Sequence, residues 1–141
     1  MSVVYTGGTF DLFHSGHVNL LKRCRDVAGV NGKVVVSLNK DDFIEKYKGK
    51  PALCNDLERS TVLMSCRYVD EVVFNIGGSD SRAAIELVNP DYIVVGSDWA
   101  NKDYYSQMNF TQEWLDQRDI GLIYIPYSKH ISSSEIKNRL I

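Results

Sequence analysis

Short apolar, β-branched runs alternate along the chain with amphipathic stretches. Val3 to Thr6, Lys33 to Leu38, Val69 to Phe74, Tyr92 to Val95 and Leu122 to Ile125 each read as a buried strand. Between them apolar residues recur at helical spacing: Val18, Leu20, Leu21, Cys24 and Val27, then Leu57, Val62, Leu63 and Cys66, then Ala83, Ala84, Leu87 and Val88. A fourth helix is predicted over Phe110 to Arg118 and a fifth over Ser133 to Leu140. Parallel neighbours need a crossover, so this alternation predicts a doubly wound, Rossmann-like α/β domain with a five-stranded, mostly parallel sheet covered on both faces. Ligands of such sheets bind beyond the carboxyl ends of the strands, which directs attention to the segment after each strand. Two of the connections are long: Asn39 to Asn55, rich in lysine, and Ser97 to Asn109, rich in polar and aromatic residues. Both read as loops that could cover a site.

Composition narrows the picture. The chain has 141 residues, 44% of them hydrophobic, which suits one domain over residues 1–141 with a single core. Lys and Arg number 16 against 18 Asp and Glu, a net charge of -2, so no global field draws in nucleic acid or an anionic membrane, and neither is expected as a partner. Any anion site must be built locally. Cys24, Cys54 and Cys66 lack the paired spacing of a zinc or redox motif and fit a reduced, cytoplasmic setting. Neither a signal-like leader nor a membrane span is legible.

The chemistry concentrates after the first strand, in Thr6-Gly7-Gly8-Thr9-Phe10-Asp11-Leu12-Phe13-His14-Ser15-Gly16-His17, with a helix expected from about Gly16. Glycines at a strand-to-helix turn let backbone N–H groups approach a phosphate, and the helix N-terminus adds positive potential. His14 and His17, three apart, fall on one helical face and can hold the same phosphate. A zinc reading of the two histidines with Asp11 lacks a third strong ligand at sensible spacing, and no metal ligands are assigned. Near the other end, Ile131-Ser132-Ser133-Ser134-Glu135 opens the last helix. Ser132 with Glu135 is a capping box, while Ser133 or Ser134 is free to touch phosphate. The run Glu45-Lys46-Tyr47-Lys48-Gly49-Lys50-Pro51 offers flexible cations.

Gly8-Thr9-Phe10-Asp11 followed by His14-Ser15-Gly16-His17 resembles the signature of the cytidylyltransferase-like nucleotidyltransferases, and the similarity extends over nearly the whole chain. The resemblance implies that Thr9, Phe10, Asp11 and Gly16 sit against a nucleotide, that His14 and His17 stabilise the transition state at the α-phosphate, and that Lys48 assists. Gly96-Ser97-Asp98-Trp99 looks like the family's GxDW element, which makes Gly96, Asp98 and Trp99 nucleotide contacts. Ile131, Ser132, Ser133 and Ser134 resemble its ISTT element. Glu58-Arg59 and Arg67-Tyr68-Val69-Asp70-Glu71-Val72 are similar to segments of the glycerol-3-phosphate cytidylyltransferases, where Arg59, Arg67 and Asp70 would be functional or would support a homodimer. Lys46, Lys50, Arg59, Arg67 and Lys129 are the candidate phosphate or acceptor contacts.

One departure stands out: Tyr127-Ser128-Lys129-His130 replaces the arginine-bearing segment expected before the ISTT element, and a tyrosine cannot make a guanidinium's bidentate phosphate contact. The implied reaction moves CMP from CTP to glycerol 3-phosphate or a similar polyol phosphate, with Mg2+ bound to the triphosphate and pyrophosphate released. The alternative is an adenylyltransferase using ATP and a sugar phosphate such as heptose 1-phosphate. A nucleotide-binding regulator would not need the paired histidines. An aminoacyl-tRNA synthetase fragment would need more chain and a basic surface.

Overall fold

The computed structural model describes residues 2–126 and 128–140, and says nothing of the side chains of residues 100 and 101. The elements in chain order are β1 (Val3–Gly8), α1 (Ser15–Ala28), β2 (Lys33–Leu38), α2 (Asp41–Lys48), α3 (Asp56–Met64), β3 (Glu71–Phe74), α4 (Arg82–Val88), β4 (Tyr92–Gly96), a 3-10 turn (Ser97–Asn101), α5 (Tyr104–Met108), α6 (Gln112–Asp116), β5 (Gly121–Ile125) and α7 (Ser133–Asn138). The strands form one five-stranded sheet in the order β3-β2-β1-β4-β5, and every pairing is parallel. The expected doubly wound α/β domain is therefore the observed one. Because β1 pairs with β2 on one side and β4 on the other, the connections leave β1 and β4 in opposite directions and open a crevice at their carboxyl ends.

Side-chain alternation assigns the two faces. Tyr5, Ile93 and Val95 pack with Ala84, Ile85, Met108, Phe110 and Leu115 under α4, α5 and α6. Val4, Val34 and Val94 point the other way, against Cys24 and Ala28 of α1. A third cluster, Leu21, Val36, Leu38, Leu63 and Phe10, joins α1 and α3 to the sheet directly beneath the glycine turn. No helix among the described residues is long and apolar enough to cross a membrane.

Several boundaries differ from expectation. Both long connections contain helices. α2 reads DDFIEKYK, buries only Ile44 fully, and ends on Gly49 at φ 75°, so it has too little apolar repeat to announce itself. α5 is a five-residue helix capped by the Asp103 carboxylate and closed by Asn109 in the left-handed region. The predicted helix over Phe110 to Arg118 shortens to α6 because Phe110 enters the core and Thr111 is the N-cap. β3 begins two residues late, since Asp70 accepts the Val34 N–H at 2.8 Å and ion-pairs with Arg25, closing the strand edge.

Arg59 holds the loops in place. Although it is only 2% exposed, its guanidinium donates to the carbonyls of Cys54 (2.9 Å), Thr9 (2.9 Å) and Asn39 (2.8 Å) and pairs with Asp41 at 2.7 Å. One planar fork thus fixes the glycine turn, the end of β2 and the segment before α3. Arg59→Met keeps the volume and removes the donors, leaving buried carbonyls unpaired at a cost of about 3 kcal/mol or more. Urea unfolding should show the midpoint fall with the slope unchanged; a midpoint within experimental error of the unmodified chain would show that the fork is dispensable.

Candidate active site

The site is built where β1 runs out. Phe10 (φ 53°) and Leu12 (φ 50°) both lie in the left-handed region, a strained turn that the surrounding contacts must hold. Asp11 is the central hold: its buried carboxylate accepts the backbone N–H groups of Leu53 (2.8 Å), Cys54 (2.9 Å) and Leu12 (3.1 Å), and Lys137 Nζ stands 3.6 Å away. Burial by itself would raise this carboxyl. The N–H donors of Cys54 and Leu53, the Lys137 charge and the Leu12 N–H together keep it below the usual aspartate range. The Asp11 carbonyl accepts the Ser133 hydroxyl, so the same residue ties down α7.

The two histidines form the N-cap of α1. The Gly16 N–H donates to His14 Nδ1 at 3.0 Å, and the His14 N–H donates to His17 Nδ1 at 3.2 Å, a capping box made of imidazoles. Each Nδ1 is an acceptor, so the neutral ring carries its proton on Nε2, leaving that N–H outside the cap. The rings stack with centroids 3.7 Å apart, and His17 also lies against Phe10 and Phe13 at 5.1 Å and 5.5 Å. Burial, then the His14 neighbour, push the His17 pKa down to about 3 despite the opposing Asp11 charge, and burial lowers His14 as well. Gly16 is required by contact: a Cβ there would meet His14 Cε1 at 2.9 Å and Ile131 Cγ2 at 3.1 Å.

The histidine step divides the crevice into two adjoining chambers. The larger, about 430 Å3, is lined by Thr9, Phe10, Asp11, His17, Lys48, Lys50, Asp98, Trp99, Ser133 and Ser134, together with Lys137. The smaller, about 270 Å3, is lined by His14, Gly16, His17, Gly96, Asp98, Trp99, Ile131, Ser132 and Ser133. Ser132 caps α7 through the Glu135 N–H at 3.0 Å. Trp99 lies under the Lys102 ammonium at 5.1 Å.

Burial and the charges of Lys137, Lys50 and Arg59 lower the Lys48 pKa, against the pull of Asp11. The chamber thus concentrates cations around the fully engaged Asp11 carboxylate. Among the described residues no group of three or more His, Cys, Asp or Glu converges as a metal cage.

Four predicted contacts fall elsewhere. Neither chamber is lined by Lys46, Arg67 or Lys129, all exposed, and Arg67 stacks over the Tyr68 ring instead. Arg59 spends its donors on backbone carbonyls and Asp41. Tyr127 lies outside the described residues. Lys137 is the cation that sequence reasoning missed; its signal was spacing, since a residue four after Ser133 shares its helical face.

The chain matches the family described as cytidylyltransferase-like over residues 5–139, and it belongs to that nucleotidyltransferase family. It is 30% identical to an FAD synthase of Korarchaeum cryptofilum over 98% of this chain and 90% of that protein. It is 33% identical to a glycerol-3-phosphate cytidylyltransferase of Bacillus subtilis, covering 99% of this chain and 98% of that one. The crystal structure of a lipopolysaccharide core biosynthesis protein from Thermoplasma volcanium shares the fold, with a TM-score of 0.71 at 24% identity over 93% of this chain and 99% of that chain.

The histidine cap makes a stability prediction. His17 is held at about 3 in the folded chain against 6.5 when free, so the unfolded state binds the proton first. Its contribution is complete above pH 6.5 and is lost as pH falls toward 3. Denaturant midpoints between pH 7 and pH 4 should fall for the unmodified chain and fall less for His17→Asn; parallel profiles would mean that the ring is not held neutral.

Proposed function

We propose that this member of the family transfers a nucleoside monophosphate from a nucleoside triphosphate to a small phosphorylated acceptor. An acceptor phosphate oxygen attacks the α-phosphorus, the bond from that phosphorus to the bridging oxygen breaks, and pyrophosphate leaves. The observation that carries the reading is the stacked histidine pair at a helix N-terminus, each Nδ1 committed to a backbone N–H and the pair lining two chambers.

Such a transfer needs positioning and charge stabilisation rather than a protein nucleophile. Neutral imidazoles donate hydrogen bonds to the pentavalent α-phosphoryl oxygens, and Lys48, Lys50 and Lys137 offset charge along the larger chamber. Magnesium would arrive on the triphosphate, held mainly by phosphate oxygens and water, which agrees with the few carboxylates lining the site.

The relatives' names divide by base: one names an adenine dinucleotide as its product, the other a cytidylyl group as what it transfers. We favour adenylyl transfer from ATP, supported by the similarity to the FAD synthase, to a sugar phosphate, for which the larger chamber of about 430 Å3 leaves room. Cytidylyl transfer from CTP to glycerol 3-phosphate is the second reading, supported by the near full-length similarity to the Bacillus protein. The homodimer implied by the resemblance belongs to the same proposal, with the exposed Leu57, Val62 and Met64 of α3 available beside Arg67.

His14→Ala and His17→Ala should each lower turnover on the order of a hundredfold. Loss of the cap should cost only about 1 kcal/mol of stability. Near-normal turnover of both folded variants would remove the histidines from the chemistry. The base is read from a grid of four nucleoside triphosphates against glycerol 3-phosphate, glucose 1-phosphate and heptose 1-phosphate, following pyrophosphate release and product mass. ATP with a sugar phosphate should give the highest kcat/KM, and turnover confined to CTP would reverse the base assignment while leaving the histidine chemistry in place.

A further inference from the structure

The larger chamber is sorted by charge. Its cations, Lys48, Lys50 and Lys137, gather with Ser133 and Ser134 on the side of the glycine turn and α7. The same chamber is also lined by a neutral wall of Tyr5 within β1, Ser37 near the end of β2 and Asn75 just after β3. These three belong together in space: a Cβ added at Gly7 would lie 3.4 Å from the Tyr5 hydroxyl and 3.6 Å from the Ser37 carbonyl, and the Asn75 N–H donates to the Leu38 carbonyl at 2.9 Å.

All three are buried, at 1%, 1% and 6% exposure, yet their hydrogen-bonding capacity is not used up inside the protein. The Asn75 amide is oriented by its Nδ2, which donates to the Gly78 carbonyl at 2.9 Å, and its Oδ1 then has no partner. The Ser37 hydroxyl beside the Tyr5 phenol makes no well-formed hydrogen bond of its own. Burial pushes the Tyr5 phenol up to about 12, so it remains a neutral donor. A buried acceptor without a donor is costly, about 1–3 kcal/mol, and a ligand hydroxyl removes that cost. Both orphaned atoms are closed off from solvent, so engaging them takes a small outward move of the wall.

We propose that Tyr5, Ser37 and Asn75 recognise the hydroxyl groups of an uncharged, sugar-like body on the phosphorylated acceptor, with the acceptor phosphate at the lysine side. The inference rests on the nucleotidyl-transfer reading above and adds to it the residues that select the acceptor's hydroxyl groups. One other class fits less well. An amino-alcohol phosphate needs a counter-charge for its ammonium group, and among the described lining residues the only carboxylates are Asp11, which is engaged by three N–H groups and Lys137, and Asp98, on the boundary with the smaller chamber.

The test compares glucose 1-phosphate with cyclohexyl phosphate, a ring of the same size without hydroxyls, alongside phosphoethanolamine, phosphocholine and FMN. Each is followed by pyrophosphate release with the active nucleotide and by calorimetric binding to the full chain. A site built around hydroxyls should favour glucose 1-phosphate over cyclohexyl phosphate by tenfold or more in kcat/KM. Asn75→Leu and, as a milder change, Ser37→Ala should compress that ratio by lowering the hydroxylated acceptor alone, with KM for the nucleotide unmoved. A ratio near one in the unmodified chain, a ratio unchanged in both folded variants, or preference for an amino-alcohol phosphate or FMN overturns the assignment. If no acceptor releases pyrophosphate, the nucleotidyl-transfer reading fails, and the calorimetric ratio of glucose 1-phosphate to cyclohexyl phosphate alone decides the role of the wall.

Discussion

A buried carboxylate cannot remain an anion without donors, and Asp11 finds them on chain segments that would otherwise have no reason to meet. Its oxygens collect backbone N–H groups from the glycine turn and from residues 53 and 54, while its carbonyl receives Ser133 from the last helix. Arg59 answers from below, donating to carbonyls of the same turn, of residue 54 and of residue 39. The two ions never touch, yet one gathers N–H groups and the other gathers carbonyls around the same bend. The left-handed Phe10 and Leu12 are held between them.

This division explains the resting electrostatics. The imidazoles are neutral because burial and stacking disfavour charge, and because both Nδ1 atoms are already committed to the backbone. The lysines crowd one another and await an anion. A polyphosphate entering this crevice would meet directed donors from the histidines and mobile point charges from the lysines, two kinds of stabilisation with different geometric tolerance.

Much of this was legible in the chain. Five β-branched runs alternating with helical periodicity specify the doubly wound sheet, because parallel strands buried on both faces leave few other arrangements. The histidine pair and serine cap were readable from spacing, since capping depends on residues three apart. What escaped was set by tertiary partners. α2 has a single fully buried anchor, Ile44, and its lysine-rich sequence carries the pattern of a loop. Arg59 looked like a substrate contact because an arginine next to a phosphate motif is equally suited to carbonyl clamping, and only burial separates the two. Asn75 and Ser37 carried no local signal, because strand-end residues become a wall only once three strands lie side by side.

The Ser133 contact to Asp11 spans 122 positions of sequence. Contacts of that separation form late, after the sheet they rest on, because loop closure is slow relative to local structure. During synthesis the serine helix leaves the ribosome more than a hundred residues after the glycine turn. The histidines therefore emerge well before the anchor that closes the crevice, and the crevice is completed by a late, distant contact rather than by the glycine turn alone.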